Sequence, residues 1–335
     1  MAVPEGRPAL LVTGGAGYIG SHVCKAAAAA GYLPVTFDNL STGHRWAVRW
    51  GPLEQGDLRD ANRLCMAFDR WRPQAVIHLA GLIDTRESVD DPAPYYENNV
   101  GATLTLLACM RKAGVDRIVF SSTAAVYGEP AYAPINENHR LSPLSPYGTS
   151  KLAVERILED FGRAYGLRTT SLRYFNAAGA DEDGEIGEAH PVETHLVPLV
   201  LEAAAGRCPA ISIHGDDYDT PDGTCMRDFV HVGDLATAHV LAVRHLESKA
   251  GMRTFNLGSG HGATVRQVIE AVARATMRDI PVSIGPRRPG DPAILLADIS
   301  LAANELSWRP VLSDLDGIIA SAWDWHRKSW KNSAA

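Results

Sequence analysis

Cysteine is scarce in this sequence, and the cysteines that occur follow no functional spacing. The 335 residues include five, an odd number, which lie far apart and form no Cys-x-x-Cys pair. They are Cys24, Cys65, Cys109, Cys208 and Cys225. This usage excludes a disulfide framework and favours a reduced, cytoplasmic setting.

Long apolar runs and an excess of basic residues are also missing. No apolar run reaches the length that spans a membrane, and the first residues lack the pattern of a signal peptide. Lys and Arg number 32 against 39 Asp and Glu, which gives a net charge of −7. We therefore expect a cytoplasmic protein whose main partner is neither nucleic acid nor a membrane.

The sequence does contain an alternation of short apolar runs and amphipathic stretches. Predicted strands lie at residues 9–13, 33–37, 75–80, 117–122 and 168–175. Predicted helices lie at residues 18–30, 61–71, 95–113 and 147–165. Strands separated by such helices indicate a Rossmann-type, doubly wound α/β fold with a parallel sheet and right-handed crossovers.

The pattern loosens after Phe175 into loops that are rich in Gly and Asp. Short strands and helices are interspersed there, and the chain ends in an amphipathic helix whose His326 we expect to be exposed. We predict two domains, residues 1–175 and a smaller, mixed α/β lobe of residues 176–335, with the chain crossing back once to the first domain.

The stretch "VTGGAGYIG" places three glycines between a predicted strand and a predicted helix. Gly14, Gly17 and Gly20 suit a tight turn that lets the backbone approach a pyrophosphate, with the amides of the helix N-terminus as donors. Asp38 ends the next strand, at the distance expected of a carboxylate that binds a ribose hydroxyl. Because a carboxylate repels a 2′-phosphate, the predicted cofactor is NAD, and Asp57 after the third strand suits an adenine contact.

The stretch "SPYGTSK" predicts the start of a helix and a candidate base. Ser145 suits an N-cap and Pro146 suits the first helical position. Tyr147 and Lys151 then lie four residues apart on one helix face. The ordinary pKa of tyrosine is about 10, and a neighbouring cation stabilises the phenolate. The two residues are therefore either a packed surface pair or a base kept ready to ionise.

These motifs resemble the UDP-glucose 4-epimerases of the extended short-chain dehydrogenase/reductase superfamily, and the likeness covers nearly the whole chain. The stretches on which it rests are "VTGGAGYIGSH", "FDNLSTGH", "YYENNVGAT", "FSSTAAVYGEP", "SPYGTSK", "LRYFNAAGA", "DYDTPDGTCMRDFVHVGDLA" and "FNLGSG". The resemblance implies an N-terminal domain that holds NAD permanently and a C-terminal lobe that binds a UDP-sugar. It also implies a homodimer formed through the helices near 95–113 and 147–165.

The reaction implied by this resemblance takes place at C4 of the sugar. The C4 hydroxyl is oxidised with NAD, the 4-keto sugar rotates in the pocket, and the hydrogen returns to its other face. Tyr147 would be the base, Lys151 its cationic neighbour, and Thr123 a hydrogen-bonding partner where most members have Ser.

The resemblance also implies two sets of binding residues. The NAD contacts are Gly14, Gly17, Tyr18, Ile19, Gly20, Asp38, Asn39, Asp57, Leu58, Leu79, Ala80, Asn98, Tyr147, Lys151 and Phe175. The substrate contacts are Thr123, Asn176, Thr194, His195, Leu196, Arg227, Arg288, Asp291 and Leu295. The two arginines make chemical sense on a diphosphate, because a guanidinium matches its oxygens in bidentate fashion.

The loop "HLAGLIDTRES" departs from the family pattern. Ile83 replaces a common lysine that touches the cofactor, and Asp84 and Arg86 are added. Because the loop follows the end of a strand, Arg86 is a candidate contact for a sugar carboxylate. The alternative, which we favour, is a surface ion pair of Arg86 with Asp84 or Glu87.

Two further departures bear on the substrate. Leu295 stands where some members carry Tyr, and its smaller side chain leaves room for an N-acetylated UDP-hexosamine. The segment "ETHL" replaces a common "NNL", which leaves the contacts of Thr194 and His195 with uracil or phosphate open. His190, Glu193 and His195 lack the spacing of a metal site, so we predict no metal.

Three alternatives to a UDP-glucose 4-epimerase stay open. The first is a 4-epimerase of an N-acetylated, pentose or uronate UDP-sugar. The second is a 4,6-dehydratase, which needs an Asp-Glu pair where this chain has Ala124 and Ala125. The third is a non-catalytic dinucleotide sensor, which has no need for Thr123, Tyr147 and Lys151 together.

Overall fold

A seven-stranded parallel sheet forms the centre of the molecule. The structure, a computed structural model, describes residues 6–248, 251–288 and 290–332. The strand order is β10-β6-β5-β4-β1-β2-β3. Six of these strands follow the order 3-2-1-4-5-6 of a Rossmann-type fold, so the predicted doubly wound fold is confirmed. The strands are β1 Ala9–Thr13, β2 Leu33–Asp38, β3 Leu53–Gln55, β4 Ala75–His78, β5 Arg117–Thr123, β6 Arg168–Tyr174 and β10 Met252–Leu257.

Helices cover both faces of this sheet. Its strands are buried on both sides, so successive residues such as Leu10 and Leu11 belong to two different hydrophobic clusters. The cluster with Leu10 packs against α1 and α8, and the cluster with Leu11 packs against α2, α5 and α6. These helices are α1 Tyr18–Ala29, α2 Ala61–Trp71, α5 Ala102–Ala113, α6 Pro146–Tyr165 and α8 Val232–Ser248.

The helix boundaries follow from local capping. The Asp60 side chain accepts a hydrogen bond from the Arg63 amide at the start of α2, and Arg72 ends that helix with a left-handed backbone at φ 44°. Ser145 accepts from the Gly148 amide at the start of α6, with Pro146 in the first turn.

The predicted helix at 95–113 is divided in the structure. A short helix, α4 Ala93–Tyr95, continues into a π-helical segment, Tyr96–Gly101, and only then into α5. Another short helix, α3 Thr85–Asp90, precedes it. Such π-helical insertions change which side chains face the sheet, and they are frequent at functional sites.

A smaller mixed sheet lies beside the first. Strand β9 Met226–His231 pairs with β7 Asn176–Ala178 and β13 Ile294–Leu295 in parallel, and with β11 Gly262–Thr264 antiparallel. A separate parallel pair consists of β8 Ile211–His214 and β12 Val282–Gly285.

Helices of the C-terminal half enclose their own hydrophobic cluster, which includes Val200, Phe229, Val272 and Ile319. The helices that complete this half are α7 Leu196–Ala204, α9 Val265–Thr276, α10 Ser300–Glu305 and α11 Leu315–Asn332. The expectation that His326 of α11 is exposed was wrong: its side chain is 7% exposed and stacks on Trp330, with the ring centroids 5.0 Å apart. Over the described residues, no helix is long and apolar enough to span a membrane.

Candidate active site

The glycine-rich turn connects β1 to α1 with almost no free space. Gly14 has a φ of +72°, and a Cβ there would lie 2.7 Å from the Ala80 nitrogen. A Cβ on Gly20 would lie 2.0 Å from the Gly14 carbonyl oxygen. Gly17 is the N-cap residue of α1, and no side chain caps this helix. The first amides of α1 are therefore available to an anion, as a dinucleotide pyrophosphate requires.

Asp38 lies at the end of β2, beside this turn. Its carboxylate accepts hydrogen bonds from the amides of Ala16 at 3.0 Å and Leu40 at 2.8 Å, which fix its orientation. Burial raises the pKa of Asp38, and the two amides counteract that effect. The fixed carboxylate retains acceptor positions for ribose hydroxyls, so this turn and this strand end fit an NAD molecule.

The residues predicted for the adenine end lie near the surface. Asn39 donates to the Asp57 carboxylate at 3.3 Å, and both oxygens of Asp57 also accept from Arg59. The guanidinium of Arg59 holds the pKa of Asp57 well below its usual range. Leu58, which lies between Asp57 and Arg59 in the sequence, is buried.

Two of the predicted cofactor residues follow β4 directly. The amides of Leu79 and Ala80 both donate to the Thr13 carbonyl oxygen at 3.1 Å, which turns the chain away from the sheet. The predicted strand 75–80 therefore ends at His78. Asn98 lies in the π-helical segment and is half-buried.

Thr123 and Tyr147 meet where β5 ends and α6 begins. Both side chains are nearly buried, with exposed fractions of 8% and 9%. Burial raises the pKa of Tyr147, and a hydrogen bond with the Thr123 side chain lowers it in part.

Lys151 is buried one helical turn beyond Tyr147. Its ammonium nitrogen donates to the Ser121 carbonyl oxygen at 3.0 Å and lies 5.1 Å from the centre of the Phe120 ring. Burial lowers the pKa of Lys151 to about 8. A buried ammonium held by a strand at the sheet's carboxyl edge is a local source of positive charge.

The sequence prediction missed two residues that support this constellation. Ser88 accepts a hydrogen bond from the Tyr147 amide at 3.2 Å. The Asn99 side chain donates to the Ser150 hydroxyl at 3.0 Å. It also accepts from the Leu82 amide and donates to the Leu82 carbonyl oxygen. Asn99 is adjacent to the predicted Asn98, and only the π-helical geometry reveals which of the two is buried.

The loop with Ile83 and Arg86 lies against the start of α6. Asp84 caps α3 by accepting from the amides of Arg86 and Glu87, and the Glu87 carboxylate accepts from the Tyr95 hydroxyl. Within the described residues Arg86 forms no ion pair with either carboxylate, so the favoured surface ion pair of Arg86 is wrong. Arg86 and Ile83 are exposed.

Phe175 and Asn176 connect the central sheet to the smaller one. The Phe175 amide donates to the Leu257 carbonyl oxygen at 3.2 Å, and its side chain packs on the hydrophobic cluster that contains Tyr127. Asn176 begins β7 next to β9. Nearby, the Tyr18 hydroxyl donates to the Gly179 carbonyl oxygen at 2.6 Å and so joins the glycine-rich turn to this segment.

Arg227 and Asp291 of the predicted substrate set form an ion pair. The Arg227 side chain is 11% exposed and also donates to the carbonyl oxygens of Met226 and Pro292 at 2.8 and 2.9 Å. Arg288 is exposed, and the structure does not bring it into this pair. Leu295 pairs with Arg227 in the sheet and packs on the cluster that contains Tyr127.

The segment before α7 contains Thr194, His195 and Leu196. Leu196 is the first residue of α7, and His195 is its N-cap residue without a capping side-chain bond. His195 instead contacts the Glu188 and Glu193 carboxylates through Nδ1, at 3.0 and 2.9 Å.

Comparisons with known proteins agree with this geometry. Residues 10–258 match the NAD dependent epimerase/dehydratase family. A UDP-glucose 4-epimerase of Rhizobium leguminosarum bv. trifolii is 50% identical over 320 residues, which cover 96% of this chain and 98% of the relative.

Solved structures are similar over the same length. The UDP-glucose 4-epimerase from Brucella ovis in complex with NAD is 51% identical with a TM-score of 0.93, and the match covers 95% of this chain and 98% of that one. The enzyme from Bifidobacterium longum in complex with NAD+ and UDP is 41% identical with a TM-score of 0.91, over 96% and 98% of the two chains. The chain therefore belongs to the NAD dependent epimerase/dehydratase family, within which it is similar to the UDP-glucose 4-epimerases over nearly its whole length.

Proposed function

We propose that this protein is a UDP-glucose 4-epimerase, an NAD-dependent isomerase that interconverts UDP-glucose and UDP-galactose. The observation that supports it most strongly is the contact of Thr123 with Tyr147 at the carboxyl edge of the sheet, the edge that also bears the glycine-rich turn. A dinucleotide-binding protein without catalytic activity needs no buried hydroxyl pair with a buried ammonium beside it. The expected physiological role is in galactose metabolism.

NAD binding rests on the turn between β1 and α1. The amides at the start of α1 would hold the pyrophosphate, and Asp38 would accept from the ribose hydroxyls. When bound, NAD supplies the oxidant, and afterwards the reductant, for C4 of the sugar. Gly14 and Gly20 let the turn pack against Ala80 and against itself, and Gly17 at the start of α1 is where the backbone would be approached by the cofactor.

Proton transfer is assigned to the two hydroxyl groups. The phenolate oxygen of Tyr147 takes the proton of the C4 hydroxyl, and Thr123 hydrogen-bonds to the same hydroxyl. Because burial raises the pKa of Tyr147, positive charge has to stabilise its ionised form. Lys151 provides that charge one helical turn away, and Ser121 fixes its ammonium group.

We assign the UDP-sugar to the region between the carboxyl edge of the central sheet and the smaller sheet. Asn176, Leu196 and Leu295, which belong to three separate elements, are proposed to contact the sugar nucleotide. Arg227 would bind the diphosphate, because its guanidinium is held by two carbonyl oxygens and by Asp291. Arg288, Thr194 and His195 are proposed as further substrate contacts, and Arg86 as a contact at the opening.

Domain division, assembly and location are also proposals. We propose a cofactor-binding domain of residues 1–175 and a substrate-binding lobe of residues 176–335. A homodimer through α5 and α6 is supported by apolar side chains on their surface, since Leu104 is 44% exposed and Tyr165 is 54% exposed. A cytoplasmic location is supported by the five cysteines, all of which are free.

Incubation with a panel of UDP-sugars tests the function directly. We expect bound NAD to be released from the denatured protein, and UDP-galactose to be converted to UDP-glucose at equilibrium. UDP-GlcNAc, UDP-xylose and UDP-glucuronate form the comparison. Conversion of one of these, without conversion of UDP-galactose, would transfer the assignment to another 4-epimerase.

A further inference from the structure

Four side chains with metal-ligating atoms meet in the segment that precedes α7. They belong to Glu188, His190, Glu193 and His195, here named the His-Glu cluster, and one ligand atom of each lies within 4.8 Å of the others. Glu188 is the member that sequence spacing did not reveal. Its side chain is 4% exposed, so the cluster has a buried carboxylate at its base.

The nitrogen–oxygen distances within the His-Glu cluster are close to the distances between neighbouring ligands of a small metal ion. Nδ1 of His190 lies 3.2 Å from Oε1 of Glu188 and 3.5 Å from Oε2 of Glu193. Nδ1 of His195 lies 3.0 Å from Oε1 of Glu188 and 2.9 Å from Oε1 of Glu193. Four ligands about 2.0–2.1 Å from a tetrahedral zinc ion are about 3.3 Å from one another.

Two of the four ligand atoms have no hydrogen bond. Oε1 of Glu188 and Nδ1 of His190 are enclosed by protein, and neither has a partner in hydrogen-bonding geometry although they lie close together. Buried polar atoms without a hydrogen-bond partner are rare, because burying them in this state lowers the stability of the fold. A cation between them would satisfy both at once.

The remaining ligands are already oriented. Oε1 of Glu193 accepts from the amides of Thr194 and His195 at 2.8 Å, which fixes this carboxylate toward the two imidazoles. With no metal bound, ion pairs with Glu188 and Glu193 outweigh burial and raise the pKa of both imidazoles, so a divalent ion has to displace their protons. A donor set of two imidazoles and two carboxylates suits zinc, cobalt or nickel better than magnesium, which prefers oxygen ligands alone.

A second group of carboxylates nearby provides a contrast. Asp181, Asp183 and Glu185 also approach one another, but the Lys25 ammonium lies among them at 2.6–3.1 Å. The Lys25 ammonium already pairs with all three carboxylates of that group, so we propose no metal ion there.

We propose that the His-Glu cluster binds a divalent transition-metal ion of the zinc class in a closed, structural site. The ion links residues 188 and 190 to residues 193 and 195, and so fixes the loop that leads into α7. The proposal rests on these four side chains. It assigns Nδ1 of His195 to the ion, so only Nε2 of that imidazole remains for the substrate contact proposed above.

Cobalt(II) is the direct probe, because four-coordinate cobalt has intense visible absorption bands and hexaaqua cobalt does not. Full-length protein freed of metal with a chelator is titrated with cobalt chloride. We expect saturation at one equivalent, loss of the bands on addition of zinc but not magnesium, and a higher melting temperature with either transition metal. Absence of these bands at millimolar cobalt overturns the proposal.

Variants then locate the ion. His190→Gln should weaken cobalt binding by at least about 100-fold, because it removes one of four ligands. The matched control is Asp183→Asn, which removes a carboxylate from the lysine-filled group and should leave cobalt affinity unchanged. Equal affinity of His190→Gln and the unaltered protein overturns the site. If His190→Gln does not fold, Glu188→Gln replaces it with the same expected result and the same contradiction.

Discussion

Glu155 and Arg173 form a bidentate ion pair beneath the candidate active site. Their N···O distances are 2.9 and 2.6 Å, and their side chains are 3% and 5% exposed. The Ser122 hydroxyl donates to the same carboxylate at 2.6 Å. The pair joins α6, which bears Tyr147, to β6, and the Ser122 hydrogen bond joins the same carboxylate to the end of β5, which bears Thr123.

Removing one charge of this pair should destabilise the protein strongly. Glu155→Gln leaves the Arg173 guanidinium buried without its counter-charge, and we expect a loss of about 3 kcal/mol in the free energy of unfolding. Glu159→Gln on the same helix removes an exposed ion pair and should cost less than about 1 kcal/mol. Urea denaturation of both variants measures the difference, and equal losses would contradict it.

The glycine-rich turn should not tolerate a methyl group at Gly20. A Cβ there would lie 2.0 Å from the Gly14 carbonyl oxygen, so Gly20→Ala has to displace the turn from α1. We expect a loss of about 2–3 kcal/mol in stability together with loss of bound NAD. In Gly101→Ala the nearest atom would be 3.9 Å away, so this control should retain both. Absorbance of nucleotide released from each purified variant is the measurement.

Lys151 should give the protein a distinctive dependence of stability on pH. Because burial lowers its pKa from 10.5 to about 8, the unfolded chain binds more protons than the folded chain between these values. The stability of the unaltered protein, relative to that of Lys151→Met, should therefore rise with pH over this window, by up to about 3 kcal/mol. Parallel stability curves for the two proteins between pH 7.5 and about 10 would refute the buried ammonium.

Leu295 should control the size of the sugar that is accepted. It pairs with Arg227 in the smaller sheet and packs on the cluster beside Tyr127, so a larger side chain there narrows the cleft. We expect turnover of UDP-GlcNAc by the unaltered protein, and about a tenfold or greater loss of it in Leu295→Tyr with UDP-galactose turnover retained. No detectable UDP-GlcNAc turnover alongside good UDP-galactose turnover would refute this hypothesis.

The sequence predicts most of the central sheet because its signals are local. The strand at 9–13 and the helix at 61–71 were predicted with the bounds that the structure has. Apolar runs, the Asp60 cap and the glycine-rich turn each act within a few residues. The π-helical segment at 96–101 could not be predicted, since it differs from an α-helix only in which carbonyl each amide contacts.

The wrong or missing predictions concern side chains whose partners are distant in sequence, or whose partners also bond to other groups. Proximity in sequence favours an ion pair of Arg86 with Asp84 or Glu87, but these carboxylates bond to backbone amides and to the Tyr95 hydroxyl, and the Arg86 side chain is exposed. His326 was placed in solvent, yet α11 turns it against Trp330. The role of Glu188 depends on how an irregular loop folds back, and no periodic pattern encodes that.

Epimerase activity of Tyr147→Phe tests the central claim most directly. The substitution removes one oxygen from a nearly buried ring and leaves the amide bond to Ser88 intact. The matched control is Tyr165→Phe, at the exposed end of the same helix. We predict a fall of at least about 100-fold in kcat for UDP-galactose in Tyr147→Phe, with NAD retained, and no change in the control. Full activity of Tyr147→Phe would contradict the account.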